Sequence, residues 1–396
     1  MAAKTLSGVR ILYLHQYFRT PEEGGALRSY YLSQALKNAG LTVELITAWN
    51  GTTYKTVWVE GVKVHYLPVA YGNQFGFLAR IWAFLKFSYQ STRLAFSLPK
   101  PDLCFATSTP LTIGIPALLL KKFRKVPYYF EVRDLWPEAP VQLGFIRNPV
   151  LKTLLFWAEK VLYRNASKII ALSPGMVAGV KKQEPNVPVY LIPNISDCDY
   201  YKPDYRLRKR VSEPFHICYA GTLGKANRLA FLLEAAAALQ NAGLNQVKIT
   251  IAGTGAEEEL LKEQDQKLQL QNVTFAGHLT RAEVKNLLQN ADATYTSFDQ
   301  VPVLETNSPN KFFDGLAAGK LSIVNTKGWL QELVAINTCG FYAAPTEPGA
   351  FAQKLLPFLE DGILLNTYQK NARHLAESQF SRDLLSQEFM KLFEHQ

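Results

Sequence analysis

The residues best suited to chemistry lie between positions 307 and 320, where the sequence reads NSPNKFFDGLAAGK. This stretch predicts a loop that turns into a helix. Asn307 or Ser308 supplies an oxygen that caps the helix, and Pro309 takes the first helical position, where its missing N–H costs nothing. Gly319 is placed to end the helix in a left-handed turn.

Two charged side chains give this predicted helix its chemistry. Lys311 lies in the first turn, where the unpaired backbone N–H groups and the positive end of the helix dipole favour an anion such as a phosphate. Asp314 follows one turn later and is suited to accept hydrogen bonds from two adjacent hydroxyls. A diphosphate beside ribose hydroxyls describes a nucleotide. The alternative is an ordinary capped helix in which both side chains are merely solvated.

Composition sets the class of protein. The chain has 396 residues, of which 48% are hydrophobic and 19% are charged, as expected for a globular protein with two domains. The N-terminus lacks the long apolar stretch of a secretory signal. The four cysteines and six histidines show no zinc-binding spacing, so we expect reduced thiols and no metal site.

The charge is unevenly distributed. Residues 1–200 contain 23 Lys and Arg against 12 Asp and Glu, whereas the remainder of the chain contains 20 against 21. The net charge of +10 therefore belongs to the N-terminal half, which predicts an anionic partner for that half. Since no nucleic-acid-binding motif accompanies the charge, we expect an anionic membrane surface rather than nucleic acid.

Apolar stretches alternate with helical periodicity along the whole chain. Short buried strands at residues 9–14 and 41–47 flank an amphipathic helix, and the pattern restarts at residue 215. Such alternation predicts α/β architecture with two Rossmann-like, doubly wound parallel-sheet domains. Residues 195–214 are polar and aperiodic, and are the best candidate for a linker.

Several short motifs follow one another along the chain. After Gly24 and Gly25, these are EVRDLWPE (131–138), ALSPGM (171–176), LIPNISD (191–197), YAGTLGKAN (219–227), IAGTGAEEEL (251–260), VTFAGHL (273–279) and SPNKFFDGLAAGK (308–320). In this order they resemble the retaining GT-B glycosyltransferases of family 4, and within that family the bacterial O-antigen and capsule enzymes of the N-acetylfucosaminyl transferase type. The resemblance implies two domains that face a cleft.

The resemblance also assigns the domains. Residues 1–195 are expected to bind the acceptor and residues 196–375 the nucleotide sugar, with a helix at about 376–396 packing back on the first domain. The donor residues implied are Gly24, Gly25, Thr222, Lys225, Gly253, Gly277, His278, Leu279, Thr306, Ser308, Asn310, Lys311 and Asp314. The implied acceptor residues are Glu131 and Asp134, and the catalytic residues are Arg133, Asp134 and Lys311.

The chain departs from the family pattern at three positions. Arg133 stands where many members have His, and an Arg cannot act as an acid or base near neutral pH. Thr222 replaces an Arg that contacts the donor diphosphate, which leaves Lys225 or Lys311 for that charge. Thr306 occupies the place of the first of two glutamates spaced eight residues apart, unless Glu305 next to it serves instead.

Two further sequences allow competing interpretations. DCD at 197–199 has the form of a metal–diphosphate motif, but it lies in the predicted linker, and the resemblance implies neither metal nor cofactor. Residues 75–100 mix aromatic residues with Lys86, Arg93 and Lys100 at intervals of seven, which is typical of a helix in a membrane interface. A core-packing helix with a solvated face is the alternative.

The resemblance, together with the basic N-terminal half, implies a cytoplasmic enzyme bound peripherally to the inner face of the membrane. It is expected to transfer a sugar, with retention, from a nucleotide diphosphate donor, UDP-sugar being expected, to a lipid-linked saccharide. Two alternatives remain open. One is a sugar-nucleotide epimerase or hydrolase that turns over the donor without an acceptor. The other is a non-catalytic nucleotide- or lipid-binding subunit of a polysaccharide assembly complex.

Overall fold

The computed structural model describes residues 8–72, 75–205 and 212–394. The chain divides into two units: unit 1 comprises Met1–Pro193 with Leu385–Gln396, and unit 2 comprises Asn194–Leu384. Residues 206–211 of the predicted linker lie outside the described residues.

Unit 1 is built on an eight-stranded sheet in the order β3-β4-β2-β1-β5-β6-β7-β8. Its strands are β1 (Arg10–Leu14), β2 (Thr42–Trp49), β3 (Lys55–Val59), β4 (Val62–Pro68), β5 (Leu103–Thr107), β6 (Tyr128–Val132), β7 (Lys168–Ala171) and β8 (Val189–Leu191). All neighbours pair in parallel except β3 and β4, which form an antiparallel edge hairpin. The apolar pattern did not predict this hairpin, although Glu60 and Gly61 provide the two positive φ angles of its turn.

The helices of unit 1 cover both faces of the sheet. They are α1 (Arg28–Asn38), α2 (Phe77–Ser97), α3 (Gly114–Arg124), α4 (Glu138–Gln142), α5 (Pro149–Asn165) and α6 (Pro174–Gln183). Local chemistry fixes their starts: at α5 the Asn148 side chain accepts a hydrogen bond from the Leu151 N–H and Pro149 takes the first position. α2 packs against α3 and α3 against α5, over a core that includes Phe87 and Leu120.

The C-terminal segment from Leu385 onward packs within unit 1. It includes most of α14 (Arg382–Met390). The ring of Phe389 lies 5.3 Å from that of Phe105, and the hydroxyl of Tyr129 donates to the Leu392 carbonyl at 3.0 Å. The segment thus starts nine residues later than the expected 376.

Unit 2 is built on a six-stranded parallel sheet in the order β11-β10-β9-β12-β13-β14. Its strands are β9 (Phe215–Ala220), β10 (Val247–Ala252), β11 (Val273–Gly277), β12 (Ala293–Thr296), β13 (Leu321–Val324) and β14 (Gly340–Tyr342). Its helices are α7 (Ala230–Asn241), α8 (Glu258–Leu268), α9 (Arg281–Asn290), α10 (Asn310–Ala317), α11 (Trp329–Ile336), α12 (Pro348–Glu360) and α13 (Gly362–Gln379).

The first part of the predicted linker is an ordered part of unit 2. The Ser196 hydroxyl donates to the Phe313 carbonyl at 2.9 Å, and Arg373 donates to the carbonyls of Cys198 and Tyr201 at 2.9 and 2.7 Å. The Ser196 hydroxyl and the backbone carbonyls of Cys198 and Tyr201 are thus hydrogen-bonded inside the unit. Their lack of periodicity therefore reflected hydrogen bonding rather than exposure.

Candidate functional site

The strand order of unit 2 reverses between β9 and β12. From β9 the chain proceeds outward to β10 and β11, then returns to place β12 on the other side of β9. Ligands of open parallel sheets bind outside the carboxyl ends of the strands at such a reversal. A ligand site is therefore expected at the loops that follow β9 and β12 and at residues 307–320.

The helix start in this segment differs from the prediction. α10 begins at Asn310, Pro309 is the N-cap residue with extended backbone, and no side chain caps the helix. Ser308 is buried, and its carbonyl and hydroxyl both accept hydrogen bonds from Asn194 instead. Gly319 does adopt the predicted left-handed conformation, with φ of 64°.

Lys311 extends from α10 to the reversal point between β9 and β12. Its Nζ atom donates to the Tyr219 hydroxyl and to the Asn227 side-chain oxygen, each at 2.8 Å. The same atom lies 4.3 Å from the centre of the Tyr219 ring and 5.7 Å from that of Phe298. Tyr219 is the second-last residue of β9 and Phe298 follows β12, so two aromatic faces and two neutral oxygens surround this cation.

The charge of Lys311 is not balanced by a carboxylate. The side chain makes no ion pair within the described part of the chain, and burial lowers its pKa to about 7. A half-buried ammonium group held only by neutral partners is a good counter-ion for an incoming anion. The phosphate-binding role of Lys311 stays a prediction at this point.

Tyr219 and Asn227 were not among the predicted site residues. Both also bond the Thr222 carbonyl, at 2.9 and 3.0 Å, which shapes the loop beneath Lys311. Their place in the quoted motif YAGTLGKAN, at the carboxyl end of a strand, was the available signal. Lys225 of the same motif is exposed and is not brought to Lys311; its charge acts on Glu257.

The structure gives a reason why position 253 must be glycine, which the sequence did not reveal. Its φ is 135°, and a Cβ atom built on it would lie 1.8 Å from the Gly221 carbonyl oxygen. The loops after β9 and β10 therefore pack backbone against backbone, with the Gly221 N–H donating to the Ala252 carbonyl at 2.9 Å. Gly253 serves loop packing, whatever else it contacts.

The loop after β11 carries three predicted donor residues. Gly277 has a φ of 66° and open space beside its Cα, His278 is exposed, and Leu279 is half-buried. Thr280 follows as the N-cap of α9, in a reciprocal capping box with Glu283. The loop is thus shaped by the helix it introduces, and its backbone is open on one side.

Asp314 and Thr306 lie in different environments. Burial and the nearby charge of Asp197 raise the pKa of Asp314 to about 7, against the opposing effect of Arg281. Its half-buried carboxylate accepts no hydrogen bond within the described residues. The Thr306 hydroxyl donates to the Val303 carbonyl at 2.7 Å. Thr306 is thus engaged in its own turn, and Glu305 beside it is half-buried.

The DCD sequence is engaged in ion pairs. Asp197 accepts from Arg281 at 2.7 Å, and Asp199 pairs with Arg382. Among the described residues, no group of three or more His, Cys, Asp and Glu side chains is placed to hold a metal ion.

In unit 1 the strand order reverses between β1 and β5, and predicted residues follow the nearby strands. Asp134, after β6, accepts from the Thr109 hydroxyl at 2.9 Å, and burial raises its pKa despite Thr109 and Arg133. The Arg133 N–H donates to the Ser108 hydroxyl at 3.1 Å. The strand ends thus bring Asp134, Arg133 and the residues after β5 together.

Glu131 does not belong to an accessible acceptor site. It is fully buried, pairs with the Nε atom of Arg28 at 2.8 Å, and accepts from the Thr107 hydroxyl at 3.0 Å. Arg28 also donates to the carbonyls of Ile192 and Pro193. The predicted acceptor role is wrong for this side chain because both of its carboxylate oxygens are used inside the unit.

Gly24 and Gly25 lie in the loop between β1 and α1, as predicted. Their φ angles are 68° and 84°, a conformation that glycine adopts without strain. The Gly24 N–H donates to the Thr20 carbonyl at 3.1 Å, whereas Gly25 is exposed. The loop is therefore a defined turn that leaves Gly25 accessible.

Comparison with known proteins agrees with this architecture. Residues 23–194 match the family model "Glycosyl transferase 4-like domain", and residues 205–375 match "Glycosyl transferases group 1". No curated protein matches the chain by sequence.

Solved structures match over nearly the whole chain. The sucrose-phosphate synthase of Thermosynechococcus elongatus is 17% identical with a TM-score of 0.76, covering 97% of this chain and 98% of that one. Anabaena HepE in complex with UDP-glucose is 19% identical with a TM-score of 0.70, covering 98% and 100%. WaaG, a glycosyltransferase involved in lipopolysaccharide biosynthesis, is 16% identical with a TM-score of 0.68, covering 98% and 100%. These similarities establish the two-domain GT-B fold.

Proposed function

Because this chain belongs to the GT-B glycosyltransferases, we propose that it transfers a sugar, with retention of configuration, from a UDP-sugar to a lipid-linked saccharide. Unit 2 binds the nucleotide and unit 1 binds the acceptor. The proposal places the reaction in cell-surface polysaccharide assembly of the O-antigen or capsule type, at the cytoplasmic face of the membrane.

Lys311 carries this proposal. It is a half-buried cation at the reversal point of the unit 2 sheet, held by Tyr219 and Asn227 and paired with no carboxylate in the described chain. A diphosphate would supply the missing counter-charge there. The N-terminus of α10, on which Lys311 stands, adds a favourable dipole.

The same charge suits the chemical step. In retaining transfer, the bond from the sugar C1 to the diphosphate oxygen breaks, and the acceptor hydroxyl attacks from the same face. The proton of that hydroxyl passes to the leaving phosphate. Lys311 and the helix start would stabilise the negative charge that develops on the diphosphate, which is the largest contribution such a site can make.

UDP as the nucleotide is supported by comparison. HepE, which shares the fold, was solved with UDP-glucose. Asp314, which follows Lys311 by one turn, is assigned to the ribose hydroxyls, since its half-buried carboxylate has no hydrogen-bond donor of its own in the described chain. The alternative nucleotides are tested below.

The surface of unit 1 supports a membrane-associated acceptor. Large apolar side chains are exposed along α2 and α5 at helical spacing; they are Leu78, Trp82, Leu85, Tyr89, Val150, Leu154 and Trp157. Basic residues lie on α2, α3 and α5 and at the C-terminal cap of α3; they are Lys86, Arg93, Lys122, Lys125, Lys152 and Lys160. Aromatic residues flanked by bases are typical of a face that lies on an anionic bilayer. No helix among the described residues is both long and apolar enough to cross one.

Calorimetric binding of UDP, GDP and ADP to the full chain tests the nucleotide site. We expect UDP to bind, and Lys311→Met to raise its Kd at least 10-fold, about 1.4 kcal/mol. Lys267→Met, which removes an exposed lysine from the last turn of α8, is the control and should leave the Kd within about twofold. Equal Kd values for the wild type and Lys311→Met would refute the assignment.

Turnover assays separate the proposed reaction from its alternatives. Consumption of a UDP-sugar without an acceptor would indicate an epimerase or a hydrolase. Nucleotide binding with no turnover in the presence of lipid-linked saccharides would favour a binding subunit. Transfer that gives an α-linked product from an α-linked donor would support retention.

A further inference from the structure

His15 occupies the strand reversal of unit 1. It follows β1 directly, next to the position where the order turns to β5, and only 2% of its surface is exposed. Its Nδ1 atom shares a 2.7 Å hydrogen bond with the Ser29 hydroxyl at the start of α1. Its Nε2 atom has no hydrogen-bond partner in the described part of the chain. A ring nitrogen that no protein group bonds is open to a hydrogen bond from a ligand.

The surroundings keep the imidazole neutral. Burial lowers the pKa of His15 well below its usual value, and the positive charge of Arg133 lowers it further. The other titratable groups that face the ring are the phenols of Tyr13 and Tyr17, whose rings lie 6.5 and 6.4 Å away. Burial raises the pKa of both phenols, so neither is ionised near neutral pH and neither adds a negative charge that would oppose these effects.

A buried network of hydrogen bonds and one ion pair lies next to the imidazole of His15. The Arg28–Glu131 ion pair holds Thr107, whose hydroxyl lies 3.2 Å from that of Tyr13, and the ring of Tyr13 stacks beside His15. Arg28 directly precedes Ser29 in α1. Arg28 and Glu131 are almost inaccessible to solvent. They fix the start of α1, and therefore the position of Ser29 and of the imidazole that it bonds.

We propose that His15 contacts the saccharide acceptor, its Nε2 atom forming a hydrogen bond with a sugar hydroxyl while Ser29 holds the ring in place. This inference rests on the proposed function. A hydroxyl fits because it both donates and accepts, so it pairs with either neutral tautomer of the imidazole. Asp134 and Arg133, which follow β6 nearby, add an acceptor and donors for further hydroxyls of the same sugar.

Two substitutions separate contact with the substrate from support of the fold. In His15→Asn the amide can still pair with Ser29 but does not extend to the position of Nε2. In His15→Gln the amide reaches that position. We expect His15→Asn to lower kcat/KM for the acceptor by roughly 10- to 100-fold, mainly through KM, and His15→Gln to recover most of it. The Kd for UDP should be unchanged in both variants.

His65→Asn is the matched control. His65 is equally buried, at 1% exposure, but lies in mid-strand on β4, where Glu44 and Tyr54 bond both of its ring nitrogens. Its replacement should reduce the unfolding temperature without changing the KM for the acceptor. Normal kinetics of His15→Asn, equal impairment of both His15 variants, or a change confined to the KM of the donor would each overturn this inference alone. Absence of transfer by the wild-type protein would refute the proposed function and this inference together.

Discussion

The guanidinium of Arg28 lies 2.8 Å from the carboxylate of Glu131, and neither side chain is accessible to more than 1%. The two residues are 103 positions apart and join the start of α1 to β6. Glu131 stands in the motif that suggested an acceptor site. Its charge is nevertheless satisfied inside unit 1, so its contribution to any reaction is through the fold.

The first prediction concerns this ion pair. Replacing Glu131 with Gln leaves Arg28 buried without a counter-charge, which typically costs about 3–5 kcal/mol of unfolding free energy. Chemical denaturation, followed by near-ultraviolet circular dichroism, measures this change in the free energy of unfolding. The exposed pair Glu388–Lys391 supplies the control, because Glu388→Gln should leave the midpoint almost unchanged. If both variants unfold like the wild type, the pair is not important for stability.

The second prediction concerns proton uptake by Lys311. Its pKa of about 7 in the empty site means that the amine is mostly neutral at pH 8.5, and a bound diphosphate favours the charged form. UDP binding at pH 8.5 should therefore take up close to one proton. At this pH Asp314, with a pKa of about 7, is ionised before and after binding and contributes little. Calorimetry in buffers of different ionisation enthalpy measures the number of protons taken up when UDP binds.

The lowered pKa of Lys311 also makes the stability of the fold depend on pH. Because the pKa of Lys311 is lower in the folded state than in the unfolded chain, the unfolded state binds more protons between about pH 7 and 10.5. This group therefore favours folding increasingly as the pH rises through that range. Lys311→Met should remove both this contribution and the proton uptake. Uptake that persists in the variant would assign the proton to another group.

The third prediction concerns Gly253. An added Cβ would collide with the Gly221 carbonyl oxygen at 1.8 Å, so Gly253→Ala should force apart the loops after β9 and β10. We expect a loss of stability above the roughly 1 kcal/mol of a left-handed alanine, together with weaker UDP binding. Gly243→Ala also has a positive φ, of 74°, but no atom of the described residues lies within 4 Å of the new methyl group. Equal destabilisation of the two variants would mean that φ alone, and not close packing, requires glycine at 253.

The fourth prediction concerns the apolar face of α2 and α5. Trp82 and Trp157 are 69% and 61% exposed, and replacing both with Gln should weaken binding to vesicles that contain anionic phospholipid by at least 10-fold. Trp58 on β3 is 68% exposed and is the control, since its removal should not affect binding. Sedimentation with vesicles of neutral and anionic composition distinguishes the charge effect from the apolar effect. Equal loss in the control would show that the face is not specific.

The sequence by itself determined the local elements. Buried strands at β1, β5, β6, β9 and β10, the helix that carries Lys311 and the left-handed Gly319 follow from apolar periodicity and backbone preference, which act over a few residues. The cap of α10 was predicted wrongly because the Ser308 oxygens bond Asn194, a residue 114 positions away. A prediction from local sequence cannot include a hydrogen-bond partner that is so distant along the chain.

Only the tertiary structure decided what the site residues do. Lys311 meets Tyr219 and Asn227 across 92 and 84 positions because the sheet order places β9 beside β12. Strand order likewise buries Glu131 against Arg28 and leaves the Nε2 atom of His15 without a hydrogen-bond partner among the described residues. The order of strands in a sheet depends on the packing of whole helices and strands, and this information is distributed over the chain rather than contained in any motif.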